Sequence, residues 1–294
     1  MRKSFIHKCF ILLSLAAIFS CEDVIEIEIP AEEPRLIIDA LIRVDMNETS
    51  TPVAIEVSLT DGFFGTVPLT KLDNIIIIIE EIEDDLIVAT SPIQFEDIAN
   101  NFGIYNTVDP IPNSAFQENN RFSLYIEHEG AVYLAQTFFS PAPPIDSLSQ
   151  GSNTLFDEEE TEIIISFKDI EDQDNFYVFD FGFGEYLTTE DQFYKDQEYS
   201  FSYFYEKELE PGTAIEVSIL GADRRFYNYM DLLIEQSEGT FGIFETPVAT
   251  VRGNFIDVTN LDNIDTFDNV AQPDVFALGY FAIVQEHKNR LTIE

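Results

Sequence analysis

From Arg35 to Phe139 the side chains change polarity every second residue, in short runs broken by turn-forming residues. That period places alternate side chains on opposite faces of a pleated strand and cannot pack as a helix. Val53-Ala54-Ile55-Glu56-Val57-Ser58-Leu59 shows it most cleanly, and Phe122-Ser123-Leu124-Tyr125-Ile126-Glu127 nearly as well. His128-Glu129-Gly130 then supplies a hairpin turn before Ala131-Val132-Tyr133-Leu134. The pattern predicts strands over Leu36–Val44, Val53–Thr60, Asn74–Glu81, Asp85–Thr90, Gly103–Thr107, Arg121–Glu127 and Ala131–Phe139. Short strands at this spacing imply an immunoglobulin-like or prealbumin-like β-sandwich over residues 35–140.

Ser140-Pro141-Ala142-Pro143-Pro144-Ile145-Asp146 interrupts the pattern. Proline cannot donate to a sheet ladder, so 141–160, completed by the acidic stretch that follows, is expected as a linker. Residues 161–294 return to β patterning at Thr161–Lys168, Asn175–Gly184, Glu198–Tyr205, Ala214–Leu220, Pro247–Asn254 and Val275–Gln285. One segment, near 223–237, carries a different period. Its apolar residues Phe226, Met230, Leu233 and Ile234 share one helical face, Asp223 suits the N-cap and Gly239 the stop. The expected fold is therefore mainly β, with two β-sandwich domains, the second carrying one short helix. A chain that is 45% hydrophobic and 13% aromatic has the side chains to fill such cores.

The first 20 residues have a separate logic. Arg2, Lys3 and Lys8 precede the apolar run Cys9–Phe19, which is shorter than the about 20 residues needed to span a bilayer. This is the pattern of a secretory signal peptide. It ends in Ile18-Phe19-Ser20-Cys21, which resembles a bacterial lipobox. The resemblance implies cleavage before Cys21, lipid attachment to its sulfur, and an acidic tether over 21–34. Cleavage removes three basic side chains and no acid, moving the formal charge from −40 to −43 and leaving Cys21 as the sole cysteine. No intrachain disulfide is then available.

With 55 acidic and 15 basic residues, the chain repels phosphate backbones, and a nucleic-acid partner is excluded. The mature chain keeps only His128 and His287, neither at metal-ligand spacing from another His or Cys. There is no Gly-x-Ser-x-Gly motif, and Gly182-Phe183-Gly184 lacks the third glycine of a dinucleotide loop. No catalytic residue is expected and the chain is not read as an enzyme. Asp169, Glu171, Asp172 and Asp174 crowd hard oxygen ligands into one loop, the kind of set that suits Ca²⁺, the one cofactor the sequence offers. The alternative is a solvated turn, since Asp favours turns for local reasons. Asp257, Asp262, Asp265 and Asp268 form a second acidic loop open to the same two readings. The aromatic run Tyr194–Tyr205 offers either a binding platform or an edge hairpin packed on the core; the second is expected.

A set of landmarks recurs in order along the chain: Pro34-Arg35-Leu36-Ile37-Ile38-Asp39-Ala40, Pro143-Pro144-Ile145-Asp146, Phe167-Lys168-Asp169, Asn175-Phe176-Tyr177, Tyr227-Asn228-Tyr229-Met230, Gly253-Asn254 and Ala277-Leu278-Gly279-Tyr280-Phe281. With the lipobox they resemble the Bacteroidota lipoprotein family called domain of unknown function 4249, over nearly the whole mature chain. The resemblance implies an outer-membrane lipoprotein, often encoded beside a TonB-dependent receptor, and brings no assigned activity. In such lipoproteins an acidic stretch like Glu22–Glu28 resembles a surface-export signal; a plain spacer is the alternative. The expected function is a lipid-anchored binding or accessory protein with a TonB-dependent receptor as partner. The rivals are a structural envelope protein without a small-molecule ligand and, more distantly, a surface hydrolase.

Overall fold

The structure, a computed structural model, describes residues 34–60, 70–97, 103–155, 160–237, 251–259, 261 and 275–294. Its first half supplies β1 (Leu36–Val44), β2 (Ser50–Thr51), β3 (Ala54–Leu59), β4 (Asn74–Glu83), β5 (Leu86–Asp97), β6 (Ile104–Thr107), β7 (Ile111–Pro112), β8 (Asn120–His128) and β9 (Ala131–Ser140). Then come β10 (Ile145–Gln150), β11 (Thr161–Lys168), β12 (Phe176–Asp180), β13 (Tyr186–Glu190), β14 (Glu198–Tyr205) and β15 (Ala214–Ala222). Helix α1 (Arg224–Ser237), β16 (Ile256–Asp257) and β17 (Leu278–Thr292) complete the chain.

Eight strands close on themselves in the order β17-β1-β3-β6-β5-β4-β8-β9, and β9 returns to β17. This is a barrel, and it replaces the expected pair of β-sandwich domains. β1 runs parallel to β17 from Ile37↔Leu278 to Val44↔Gln285, and closure is made by Ile283↔Phe139 and Val284↔Ser140. The alternating residues behave as the pattern requires. Ile38, Ala40 and Ile42 of β1, Ile55 and Val57 of β3, Ile75, Ile77 and Ile79 of β4, and Phe122, Leu124 and Ile126 of β8 all turn into one buried core. An eight-stranded ring leaves an interior just wide enough for such side chains to fill. Alternation reports which face of a strand is buried but not which strand it pairs with, so a sandwich and a barrel read alike in the sequence.

β17 continues past the barrel and pairs with β15, which carries β12 and β13 on its far side. The separate sheet β10-β11-β14 adds Ile163, Ile165, Phe167 and Tyr205 to a second core, which also takes Tyr177, Phe179 and Phe181 of β12. Ile145–Gln150, expected within a linker, is a strand of this sheet. The prolines before it are held against the main sheet: Gln285 Oε1 accepts from Ala142 N at 3.2 Å, and a Cβ on Gly221 would overlap the Pro141 carbonyl. Residues Pro34–Glu294 form one compact unit.

Asp223 caps α1 as expected, its Oδ1 accepting from Phe226 N at 2.7 Å. Phe226 and Met230 are buried against Val178, Leu220, Tyr280, Ala282 and Val284. Leu233, on the same apolar face, remains 40% exposed. The helix therefore overhangs the sheet it packs on. Close packing beneath it depends on Gly279, which has φ +92° and sits where a Cβ would strike the Ile38 carbonyl. Among the described residues no helix is long and apolar enough to cross a membrane, which says nothing of strands.

Candidate functional site

The residues singled out in the sequence do not converge. Cys21, with the signal peptide and tether around it, lies outside the described residues, as do Asp262, Asp265 and Asp268. Of the four proposed Ca²⁺ ligands, three have carboxylates engaged by other residues and the fourth, Asp172, is bonded through its backbone. Asp169 is buried, accepting from Tyr177 Oη at 2.6 Å and from Asp196 N at 2.9 Å. Glu171 pairs with Lys168 at 2.6 Å, and Asp174 with Lys195 at 2.7 Å. The Asp172 backbone N–H donates to Asp196 Oδ1 at 2.9 Å, with the residue at φ 68°. No group of three or more His, Cys, Asp or Glu among the described residues is gathered to hold a metal. Asp257 is also buried and accepts from Thr259 N at 2.8 Å.

His128 Nδ1 lies 3.1 Å from the Lys71 carbonyl at the end of β8, while His287 Nε2 lies 2.9 Å from Gln285 Nε2 within β17. The aromatic run Tyr194–Tyr205 packs inward. Tyr194 stacks on Tyr199 at 4.2 Å and Tyr203 on Phe181 at 3.6 Å, joining the second core. Tyr203 Oη donates to Glu185 Oε2 and Tyr205 Oη to the Phe181 carbonyl, both at 2.6 Å. Burial, with the Glu185 carboxylate beside it, pushes the Tyr203 hydroxyl far above the usual tyrosine range, so it stays a donor.

Those two tyrosines brace the turn that joins β12 to β13, and the turn borders an open apolar groove. Gly182, Phe183 and Gly184 have φ of 74°, 56° and 82°, a left-handed run that is costly for phenylalanine. The run is held from several sides. Asp180 Oδ1 accepts from Gly182 N at 2.9 Å, and Asp180 Oδ2 pairs with Arg43 Nη1 at 2.7 Å. Phe181 N donates to the Glu185 carbonyl at 2.9 Å, and Glu185 N to that of Gly182 at 2.9 Å. Phe183 is left 59% exposed at the tip, with Lys207 Nζ 4.4 Å from its ring centroid.

Between this turn, α1 and the outer face of β1 runs a groove of about 450 Å³, lined by Ile37, Leu41, Tyr186, Tyr229, Met230 and Leu233 among others. It opens at Gly184, Tyr186, Ile234 and Ser237 into a second, polar hollow of about 660 Å³ that presents Glu185 and Glu206. Asp39 lies on the lining near the other strand, directly opposite Glu56 on the exposed face of the β1–β3 pair. Like charges set opposite each other across a ladder are unfavourable unless something cationic approaches. The floor is therefore apolar and both flanks acidic. Sequence reasoning missed this site. The one signal for it was Leu233, an apolar residue on the packing face of a helix too near its end to reach the sheet.

The family profile described as domain of unknown function, DUF4249, matches residues 22–290. The chain belongs to the DUF4249 family. That match runs from the residue after Cys21 to within the last residues of β17, so the barrel, the helix and all of the second core but Leu291 and Ile293 fall inside one DUF4249 region. No curated protein matches the chain. Among solved structures it is similar to a protein described as a Ca²⁺-stabilized adhesin that helps an Antarctic bacterium reach out and bind ice, at 11% identity and a TM-score of 0.17. The alignment covers 65% of this chain and 45% of the adhesin, so this chain spans less than half of that protein's length.

Proposed function

We propose that this DUF4249 protein is a lipid-anchored recognition module of the outer membrane that docks onto a TonB-dependent receptor. The observation that carries the reading is the acid-flanked apolar groove under α1, bordered by a strained turn that six hydrogen bonds and ion pairs hold in place. Pre-set, partly apolar concavities of this kind recognise partners without needing an internal nucleophile or base. The lipobox-like Ile18–Cys21 supports the anchor, and the receptor follows from what the family resemblance implies. A charge of −40 favours a partner whose contact face is basic and makes docking salt-dependent.

Two experiments test the parts separately. Cys21→Ser is expected to move the protein from the membrane pellet to the soluble fraction, because dual acylation of one cysteine is the only anchor invoked. Continued sedimentation with membranes would end the lipoprotein reading. Affinity purification from gently solubilised outer membranes is expected to bring down a receptor at low salt and release it at high salt. Recovery of the protein alone at both salts would remove the receptor as partner.

A further inference from the structure

We propose that the groove under α1 takes a cationic amphipathic segment of a partner protein, its apolar side chains on the Ile37, Leu41 and Leu233 floor and a lysine or arginine at each acidic flank. This rests on the recognition reading above and names the chemistry of what that site would hold. Three observations define the occupant. First, α1 ends with its apolar stripe uncovered: Leu233 is 40% exposed, whereas Met230 and Phe226, one and two turns earlier, are buried. An exposed apolar stripe of this sort beside a sheet is the receiving half of a peptide-in-groove contact. Second, the two ends of the groove share one sign of charge, Asp39 with Glu56 at one and Glu185 with Glu206 at the other. An acidic or neutral peptide would leave the first pair facing each other uncompensated. Third, the two cations beside the β12–β13 turn are already engaged, Arg43 with Asp180 and Glu286 and Lys207 over the Phe183 ring. The groove and the hollow share Gly184, Tyr186, Ile234 and Ser237 and are open rather than enclosed, which suits a segment of chain.

The test uses full-length protein and two fluorescein-labelled synthetic peptides sharing one Leu/Phe/Ala core, one flanked by lysines and one by glutamates. Anisotropy titration is expected to show saturable binding of the lysine peptide and at least about tenfold weaker binding of the glutamate peptide. Leu233→Glu then separates docking from general attraction to an acidic surface. It adds negative charge, so a non-specific cation would bind it more tightly; a groove-bound peptide binds about tenfold more weakly. Leu232→Glu adds the same charge one residue away, at a position 42% exposed and outside the groove lining, and is expected to leave the affinity unchanged or slightly raised. The double variant Asp39→Asn, Glu56→Gln, both at exposed strand positions, is expected to weaken the lysine peptide about threefold.

Equal responses from Leu233→Glu and Leu232→Glu, or no binding of the lysine peptide to the unaltered protein, would overturn the proposal. So would a fall in melting temperature for Leu233→Glu, without any peptide, as large as that for Met230→Glu. That outcome would mean the chain's own residues already fill the groove. Peptide binding with no receptor recovered in the purification leaves the groove standing and removes only that receptor. Receptor recovery without peptide binding does the reverse.

Discussion

The barrel and the aromatic region beyond it solve the same problem with different side chains. The barrel core is mostly aliphatic and β-branched, with Ile38, Ile42, Ile55, Ile75, Ile77 and Ile79 fully or nearly fully buried. Most of its strands have neighbours on both sides once β9 meets β17, β5 excepted before Phe95. The second core is built from Phe167, Tyr177, Phe179, Phe181, Tyr194 and Tyr205, between a three-stranded sheet and the sheet's open end. There each buried hydroxyl must find an acceptor, and Tyr177 and Tyr205 find Asp169 and the Phe181 carbonyl. A closed ring is stabilised by filling it. An open pair of layers is stabilised by large plates with polar handles, and its uncovered edges and turns are where a partner has access.

The largest effect expected from this contrast concerns the strand both regions share. β17 gives Phe281 and Ile283 to the barrel and Ile293 just beyond its end belongs to the aromatic core. A fragment of residues 34–140 lacks β17, and its barrel cannot close. It is expected to show no cooperative thermal transition by circular dichroism, while the full chain does. A sharp transition in the fragment would mean that the barrel stands without β17, and that the Pro141–Pro144 segment divides two independent units.

Next in size is a pair of single substitutions measured by denaturant unfolding of the full chain. Tyr177→Phe keeps the ring but removes the donor to buried Asp169, and should cost about 2 kcal/mol. Ile77→Val removes one methylene from the barrel interior and should cost about 1 kcal/mol. The reverse order would show that polar handles matter less to the aromatic core than packing does to the barrel.

The smallest effect is a pH dependence confined to the open region. Glu162, on β11, accepts from Ser202 Oγ at 2.6 Å and from Asn153 N at 2.8 Å. These bonds, Ser202 first, hold its carboxyl below the usual glutamate range. The folded state then binds its proton at lower pH than the unfolded state does. Its contribution is present at neutral pH and is lost as pH falls below the ordinary value of about 4.3. The melting-temperature gap between the unaltered protein and Glu162→Gln should therefore be largest near neutrality and close in acid. A gap that does not change with pH would show that the carboxylate's charge is irrelevant there.

Much of the local structure is legible from side-chain period. β1, β11 and β14 have the bounds that alternation implies, and α1 starts where Asp223 permits. The errors have local causes. β13 (Tyr186–Glu190) was missed because every residue in it is half-buried, so no alternation marks it. β5 runs on to Asp97 through Pro92, beyond the expected end at Thr90. Proline is tolerated there because β5 pairs with β6 only at Phe95–Asp97 and is otherwise an edge on that side. The acidic loop at 169–174 is legible as acidic and as a turn, but not as a loop in which the carboxylates of Asp169, Glu171 and Asp174 are each engaged by other residues. The groove was not legible at all, since Ile37, Tyr186, Leu233 and Tyr280 lie far apart in the chain.

By itself the sequence determined that this chain is mainly β, where its strands alternate, which face of the helix over Arg224–Ser237 is apolar, and that its charge is strongly acidic. These depend on neighbours within a few residues, because a strand's period and a helix's cap are properties of local backbone geometry. Only the tertiary structure decided that eight strands close into a ring, that β17 serves two cores, and that α1 stops short of covering the face beneath it. Those outcomes depend on which strand pairs with which. Pairing is made by backbone N–H and C=O groups that nearly every residue carries alike, so no side chain announces it in advance.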